Sequence, residues 1–214
     1  MLKGKLFVIE GPDGVGKSST VAGVSAALRD ADVDHTILSF PGREAGTLGK
    51  VVYNMHHSPR QFCITAMSPL AKQALHIAAH LDAIEMTILP MLSSGHTILL
   101  DRFWWSTWVY GTVDQIDARV LEALINAERA LWGAAQPSLA ILLDRDDPID
   151  RDDKIDTWRK LRHEYLVLSE RESASYPVEI VRNTGAQEHA IRVVQDLLFA
   201  HGLPRRAAGR HPPT

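Results

Sequence analysis

Apolar residues along this chain fall into short runs and into rows spaced three or four apart, which predicts strands alternating with helices. Lys5 to Glu10 is a compact apolar run that reads as a buried strand. Lys17 to Asp30 follows with Val21, Val24, Ala27 and Leu28 at helical spacing. His35 to Phe40 reads as a second strand, closed by Pro41-Gly42. From Pro69 to Leu92 the apolar positions Leu75, Ala79, Ile84 and Ile88 recur on neighbouring turns of one long helix, stopped by Ser93-Ser94-Gly95. His96 to Leu100 is a third strand, ending at Asp101-Arg102. A helix from about Asp114 to Trp132, a strand at Leu139–Leu143, an amphipathic Lys154–Glu170, a strand at Val178–Val181 and a helix at Glu188–Ala200 complete the series. Alternation of this kind predicts an α/β layer fold with a mostly parallel sheet.

The 214 residues are enough for one sizeable core and short for two, so a single domain over 1–203 is expected, with a tail rich in Pro and Arg at 204–214. An apolar share of 45% with 23% charged residues is that of a globular protein. The net charge of −3 gives no overall basic field for nucleic acid, while leaving room for a local cationic pocket. The single cysteine, Cys63, rules out an intrachain disulfide, fits a reducing compartment and reads as a small core residue. No signal-peptide h-region opens the chain, and no stretch approaches the ~20 apolar residues of a membrane span, so a cytoplasmic location is expected.

Chemistry enters at Gly11-Pro12-Asp13-Gly14-Val15-Gly16-Lys17-Ser18, which fits G-x-x-x-x-G-K-[ST] at every fixed position, between a strand and a helix. Gly11, Gly14 and Gly16 permit the backbone angles that turn consecutive N–H groups toward an anion. The helix starting near Lys17 adds its positive end. Lys17 can reach the β- and γ-phosphates, and Ser18 offers a hydroxyl to Mg²⁺. The loop predicts nucleoside triphosphate binding without separating kinase from ATPase, GTPase or motor.

Asp101-Arg102 narrows the choice. In an open parallel sheet ligands sit beyond the carboxyl ends of strands, so both side chains are aimed at the crevice. An acid there is placed to hold magnesium, and an arginine to pair with phosphate oxygens. A surface ion pair at a strand end is the plainer alternative for the dipeptide alone.

Three ordered segments together resemble the thymidylate kinase family. Glu10 to Ser19 resembles its P-loop, and Asp101-Arg102-Phe103-Trp104-Trp105-Ser106-Thr107-Trp108-Val109-Tyr110-Gly111 resembles its D-R-Y-x-x-S-x-x-A-Y motif. Phe40-Pro41-Gly42-Arg43-Glu44-Ala45-Gly46-Thr47-Leu48-Gly49 resembles its R-E-P-G-G-T-x-x-G segment. Ile88 to Leu92, then Gly95, fits the end of its central helix. The resemblance implies a three-layer P-loop kinase fold with a five-stranded parallel sheet and a lid, here short, at about 145–154. It implies ATP- and Mg²⁺-dependent transfer to a deoxynucleoside monophosphate, with dTMP favoured and a homodimer by analogy.

Carried over by position, Gly11, Asp13, Gly14, Val15, Gly16, Lys17, Ser18 and Ser19 would cradle the donor, with Ser18 and Asp101 on the metal. Arg102 and Arg43 would place the acceptor phosphate, and Asp13 would approach the sugar 3′-hydroxyl. His80, Trp105 and Tyr110 would complete the acceptor pocket.

The chain departs from that family in three ways. His80 stands where relatives carry a base-reading arginine, and Gly111 where a polar residue is usual. Trp104, Trp105 and Trp108 crowd the third segment; one of them could stack on a base, while Trp108 reads as packing. The lid is reduced to Leu143–Lys154, and Gly14 occupies a position where some relatives place an arginine. Arg151 then becomes the candidate transition-state cation and Arg145 the reserve, against a solvated, salt-bridged loop as the alternative. Those departures keep open a kinase for another acceptor (a deoxynucleoside, a modified nucleotide or a small metabolite). A non-catalytic nucleotide-binding module is the alternative from another class. His76 and His80, four apart, could bind metal but lack a third ligand at motif spacing, so a helix face with one histidine toward the pocket is expected. His56-His57 reads as an exposed loop pair. Asn183-Thr184-Gly185 is either an adenine site or a plain turn with a helix cap.

Overall fold

A computed structural model of the chain describes residues 3–149 and 154–203. Five strands form one parallel sheet: β1 Leu6–Glu10, β2 Thr36–Ser39, β3 Ile98–Asp101, β4 Leu139–Asp144 and β5 Val178–Arg182, in the order β2-β3-β1-β4-β5. β1 lies at the centre, with Ile9 opposite Asp101 on one side and Ile141 on the other. All five of its residues are buried, which is why it reads as a continuous apolar run rather than an alternating one.

Helices cover both faces. α1 (Lys17–Asp30) and α8 (Gln187–Ala200) close one core with Val24, Leu28, Val194 and Leu198. The other face is covered by α3 (Pro69–Ala83) with its continuation α4 (Leu89–Ser93), by α5 (Trp104–Val113), α6 (Ala118–Trp132) and α7 (Ile155–Glu172). The three layers and the five parallel strands agree with the expected fold class. The tail from 204 and Arg151 in the lid lie outside the described residues.

The long helix is not uniform. Ile84–Ile88 widens to a π-turn just before Pro90, a residue that cannot donate an N–H and crowds the carbonyl four positions back. With that join, Pro69–Ser93 spans 25 residues and holds an 18-residue window of mean hydropathy 1.2, long and apolar enough by length and composition alone to cross a membrane. That corrects the expectation that no stretch qualifies. Here the segment is part of the core, with Ile77, Ile84, Ile88 and Leu92 buried against the sheet.

A further helix, α2 (Leu48–His57), occupies a stretch left unassigned from sequence, and Thr47 caps it by accepting from Lys50 N at 3.2 Å. Gly49 lets its first turn close onto the loop after β2: a Cβ there would stand 1.8 Å from the carbonyl oxygen of Pro41. Gly49→Ala should therefore push α2 off that loop and cost about 1–3 kcal/mol, as overpacking does. Urea unfolding is the measurement, and a wild-type midpoint would refute so close an approach.

Cys63 is exposed rather than a core residue. It ends the 3-10 turn Pro59–Phe62 in the left-handed region (φ 56), where its side chain has no core to enter.

Candidate active site

At the carboxyl end of β1 the chain turns into α1 through residues 11 to 16, and the glycines take the conformations expected of them: φ is 142, 82 and 92 at Gly11, Gly14 and Gly16. The loop's carbonyls are engaged from outside. Lys17 Nζ donates to Gly11 O (2.6 Å) and Pro12 O (2.9 Å), and the indole of Trp158 donates to Asp13 O (2.7 Å). Ile149 N donates to Gly14 O (2.8 Å) and Asn183 Nδ2 to Val15 O (2.7 Å). With carbonyls turned outward, the N–H groups of Gly14, Gly16, Lys17 and Ser18 have no protein acceptor among the described residues. That is the anion nest in physical form. Asn183 thus serves as a brace under the loop.

The loop opens into a cleft of about 750 Å³ between the P-loop, α2, α3 and α5. Asp13, Gly14, Gly16, Lys17, Ser18 and Ser19 line it, as do Arg43, His80, Asp101, Arg102 and Tyr110. The structure therefore brings together nearly all the residues singled out from the sequence. Gly11 and Val15 sit behind the loop, buried. Arg102 adopts φ 76, unusual for a residue with a side chain, and its guanidinium donates to Ser106 Oγ (2.9 Å) and to Asp13. Tyr110 accepts from Asp13 N at 3.3 Å and lies under Arg102.

One expectation is corrected. Trp105 is fully buried and does not reach the cleft: it lies on the core side of α5, stacked with Tyr176 and donating its indole N–H to the Tyr176 hydroxyl at 2.8 Å. Gly111, where the family usually carries a polar residue, faces α6, where a Cβ would meet Leu121 side-chain carbons at 2.7 and 2.9 Å. The cleft side of α5 is Phe103, Ser106, Thr107 and Tyr110 instead. Trp108 packs under Arg171, as expected of a packing residue.

Several site residues escaped sequence reasoning. Buried Glu10 holds α5 against the loop, accepting from Phe103 N (2.6 Å), Ser106 N (3.1 Å) and Ser106 Oγ (2.9 Å). Burial pushes its carboxyl above the usual range, against the pull of Arg102 and Lys17. His56 and His57 are exposed but end α2 instead of lying in a loop, and both line the cleft; His56 Nδ1 meets His76 Nε2 at 3.0 Å. Burial, aided by His80 and His56, drives His76 down to about 3, so it is uncharged near neutral pH. Among the described residues no group of three or more His, Cys, Asp or Glu could hold a metal ion.

Lys17 is 6% exposed, and burial followed by the charge of Arg102 holds it down to about 7. An anionic triphosphate would restore its proton. The sign follows: at pH 6 Lys17 is already charged and binding takes up little, whereas at pH 8 it is largely neutral and binding draws in a proton. Calorimetry of ATP binding in two buffers of different ionisation enthalpy should show uptake rising through pH 7. Equal heats in both buffers at pH 8 would exclude it.

Asp101 carries one buried oxygen, Oδ1, with no partner among the described residues. An orphaned carboxylate oxygen at the end of β3, with the hydroxyl of exposed Ser18 lining the same cleft, fits the oxygen donors that a hard divalent cation takes. In the lid, Arg145 donates to the carbonyl of Asp147, while Arg162 and Arg182 both grip buried Asp144.

The family model for thymidylate kinase matches residues 9–173 of this chain. A thymidylate kinase of Ligilactobacillus salivarius is 28% identical over 213 residues, spanning 92% of this chain and 97% of that protein. One from Chlorobium limicola is 28% identical, over 75% of this chain and 80% of its own length. A solved thymidylate kinase from Ehrlichia chaffeensis shares the fold at a TM-score of 0.71 and 17% identity, covering 91% of this chain and 98% of its own.

Proposed function

Because the chain belongs to the thymidylate kinase family, we propose that its cleft transfers the γ-phosphoryl group of ATP to dTMP, giving dTDP and ADP. The enzyme is a nucleoside monophosphate kinase. One observation carries the site-level reading: a P-loop whose amides have no acceptor among the described residues and the Asp101-Arg102 pair line the same cleft, with Arg102 bonded to Asp13 of the loop.

Transfer between phosphates needs little covalent help, so positioning and charge neutralisation carry the rate. The loop amides and Lys17 would hold the donor phosphates. Arg102 and Arg43 would hold the acceptor phosphate in line with them, and Asp13 would meet the sugar hydroxyl. Glu10 acts through others, fixing the start of α5 and so the placement of Ser106 and Arg102. Ser18 and Asp101 would hold Mg²⁺, which supplies charge neutralisation between donor phosphates when bound. For the late cation, Arg151 is the candidate and Arg145 the reserve. Small nucleotides in the cytoplasm are the partners this reading requires; the homodimer rests on family resemblance alone.

A coupled ADP-release assay over deoxynucleosides and their monophosphates tests the function. Turnover is expected with dTMP and not with thymidine. Turnover with unphosphorylated nucleosides alone would move the enzyme to a different acceptor class.

A further inference from the structure

We infer that Trp158, from α7, is a positioning residue for the donor site: its indole N–H fixes the Asp13–Gly14 peptide so that the Gly14 N–H stays turned to the donor phosphates. The inference rests on the assignment of this cleft to ATP-dependent transfer, and adds to it a residue that lies far outside the loop motif.

Trp158 lies near the start of α7 and is 3% exposed. An indole N–H can only donate, and a buried one needs an acceptor. The acceptor here is a carbonyl of the donor loop: Trp158 Nε1 donates to Asp13 O at 2.7 Å, 145 residues back along the chain. Asp13 is anchored from α5 as well. Its N–H donates to the Tyr110 hydroxyl at 3.3 Å, and its carboxylate takes the Arg102 guanidinium. Neither of those two anchors acts on the peptide that follows.

That peptide turns on ψ of Asp13 and φ of Gly14, and Gly14 has no Cβ to resist the turn. In a trans peptide the C=O and N–H point in opposite directions. At the observed φ of 82 the Asp13 carbonyl is held at α7, which sends the Gly14 N–H the other way, where it has no acceptor among the described residues. Turned over, the same peptide would remove one donor from the nest and present a carbonyl oxygen to the phosphates instead. The peptide after it is held in the same manner, with Ile149 N donating to Gly14 O at 2.8 Å. The glycine that lets the loop form the nest could also let it turn away, and Trp158 opposes that.

The test compares wild type with Trp158→Phe and with protein carrying 3-benzothienylalanine in place of Trp158, which keeps the bicyclic shape and has sulfur where the N–H was. Both changes should lower kcat by about tenfold or more and weaken ADP binding by about tenfold. KM for dTMP should stay within about threefold, since the anchors of Asp13 on α5 remain. In ¹H–¹⁵N NMR of wild type, ADP with Mg²⁺ should move the Gly14, Gly16 and Lys17 amides downfield together. In both altered proteins the Gly14 response should be lost while Gly16 and Lys17 keep theirs. A loop merely loosened by a poorer core would lose all three. An unchanged Gly14 response, an equal loss at all three amides, or wild-type kcat in the benzothienyl protein overturns the assignment. Wild-type amides that all ignore ADP would instead overturn the donor site and with it the proposed function, so the two failures are distinct.

Discussion

Lys17→Ala should abolish phosphoryl transfer, lowering kcat by on the order of a thousandfold or more while weakening ATP binding far less. Lys17 is buried at the base of the nest, bonded to the carbonyls of Gly11 and Pro12, and no other lysine or arginine of the chain sits inside the loop. Its ammonium is the charge that can follow the migrating phosphoryl group, whereas the loop amides are fixed. Ground-state binding is shared among several N–H groups, but compensation for charge developing on the γ-oxygens is not, so the loss should fall on kcat. Lys17→Arg should fail to rescue, because a planar guanidinium is bulkier than an ammonium and holds its donors in a fixed fork, so it cannot occupy the buried position of Lys17 Nζ and follow the phosphoryl group. Coupled ADP release at saturating ATP and dTMP reads the result. A variant within tenfold of wild-type kcat would remove the P-loop assignment.

Most of the architecture was legible because the central strands β1, β3 and β4 are compact apolar runs with turn residues or charge at their ends, and the long helices repeat apolar positions at helical spacing. The donor loop was legible for a related reason: its requirements are local, being glycines at positive φ, a lysine and a hydroxyl at fixed spacing. Motif spacing could not say which way a side chain faces. Ser106, Thr107 and Tyr110 turn to the cleft while Trp105 and Gly111, in the same run, turn to Tyr176 and Leu121. Groups that act over long sequence separations were also invisible. Trp158, Ile149 and Asn183 hold the loop's carbonyls from elements far along the chain, and Glu128 reaches His80 across 48 residues. The histidines of α2 enter the site because α2 packs on α3, where His56 meets His76, and because Gly49 lets the start of α2 close onto the loop at Pro41.

Arg102→Ala should raise KM for dTMP by about ten- to a hundredfold and lower kcat as well, while leaving the KM for ATP within a few-fold. The guanidinium is held at the junction of three elements: Asp13 in the loop, Ser106 on α5 and the ring of Tyr110 below. Burial opposes its charge, yet Asp13 and the surrounding acidic and phenolic groups hold its pKa above the ordinary arginine value, so it stays a cation throughout the working range. A monophosphate entering the cleft would compete with Asp13 for the same planar fork. Loss of the fork therefore removes both a binding contact and the alignment of the acceptor oxygen with the γ-phosphorus, which is why both constants should move. Arg102→Lys should recover part of the KM effect and little of kcat, because a point charge binds phosphate without fixing its orientation. The φ of 76 adds a second check: Arg102→Ala keeps a Cβ and inherits the backbone strain, so its unfolding midpoint should not rise, and Arg102→Gly separates strain from charge. A wild-type KM for dTMP in Arg102→Ala would place the acceptor phosphate elsewhere, with Arg43 and Lys72 as further cations lining the cleft.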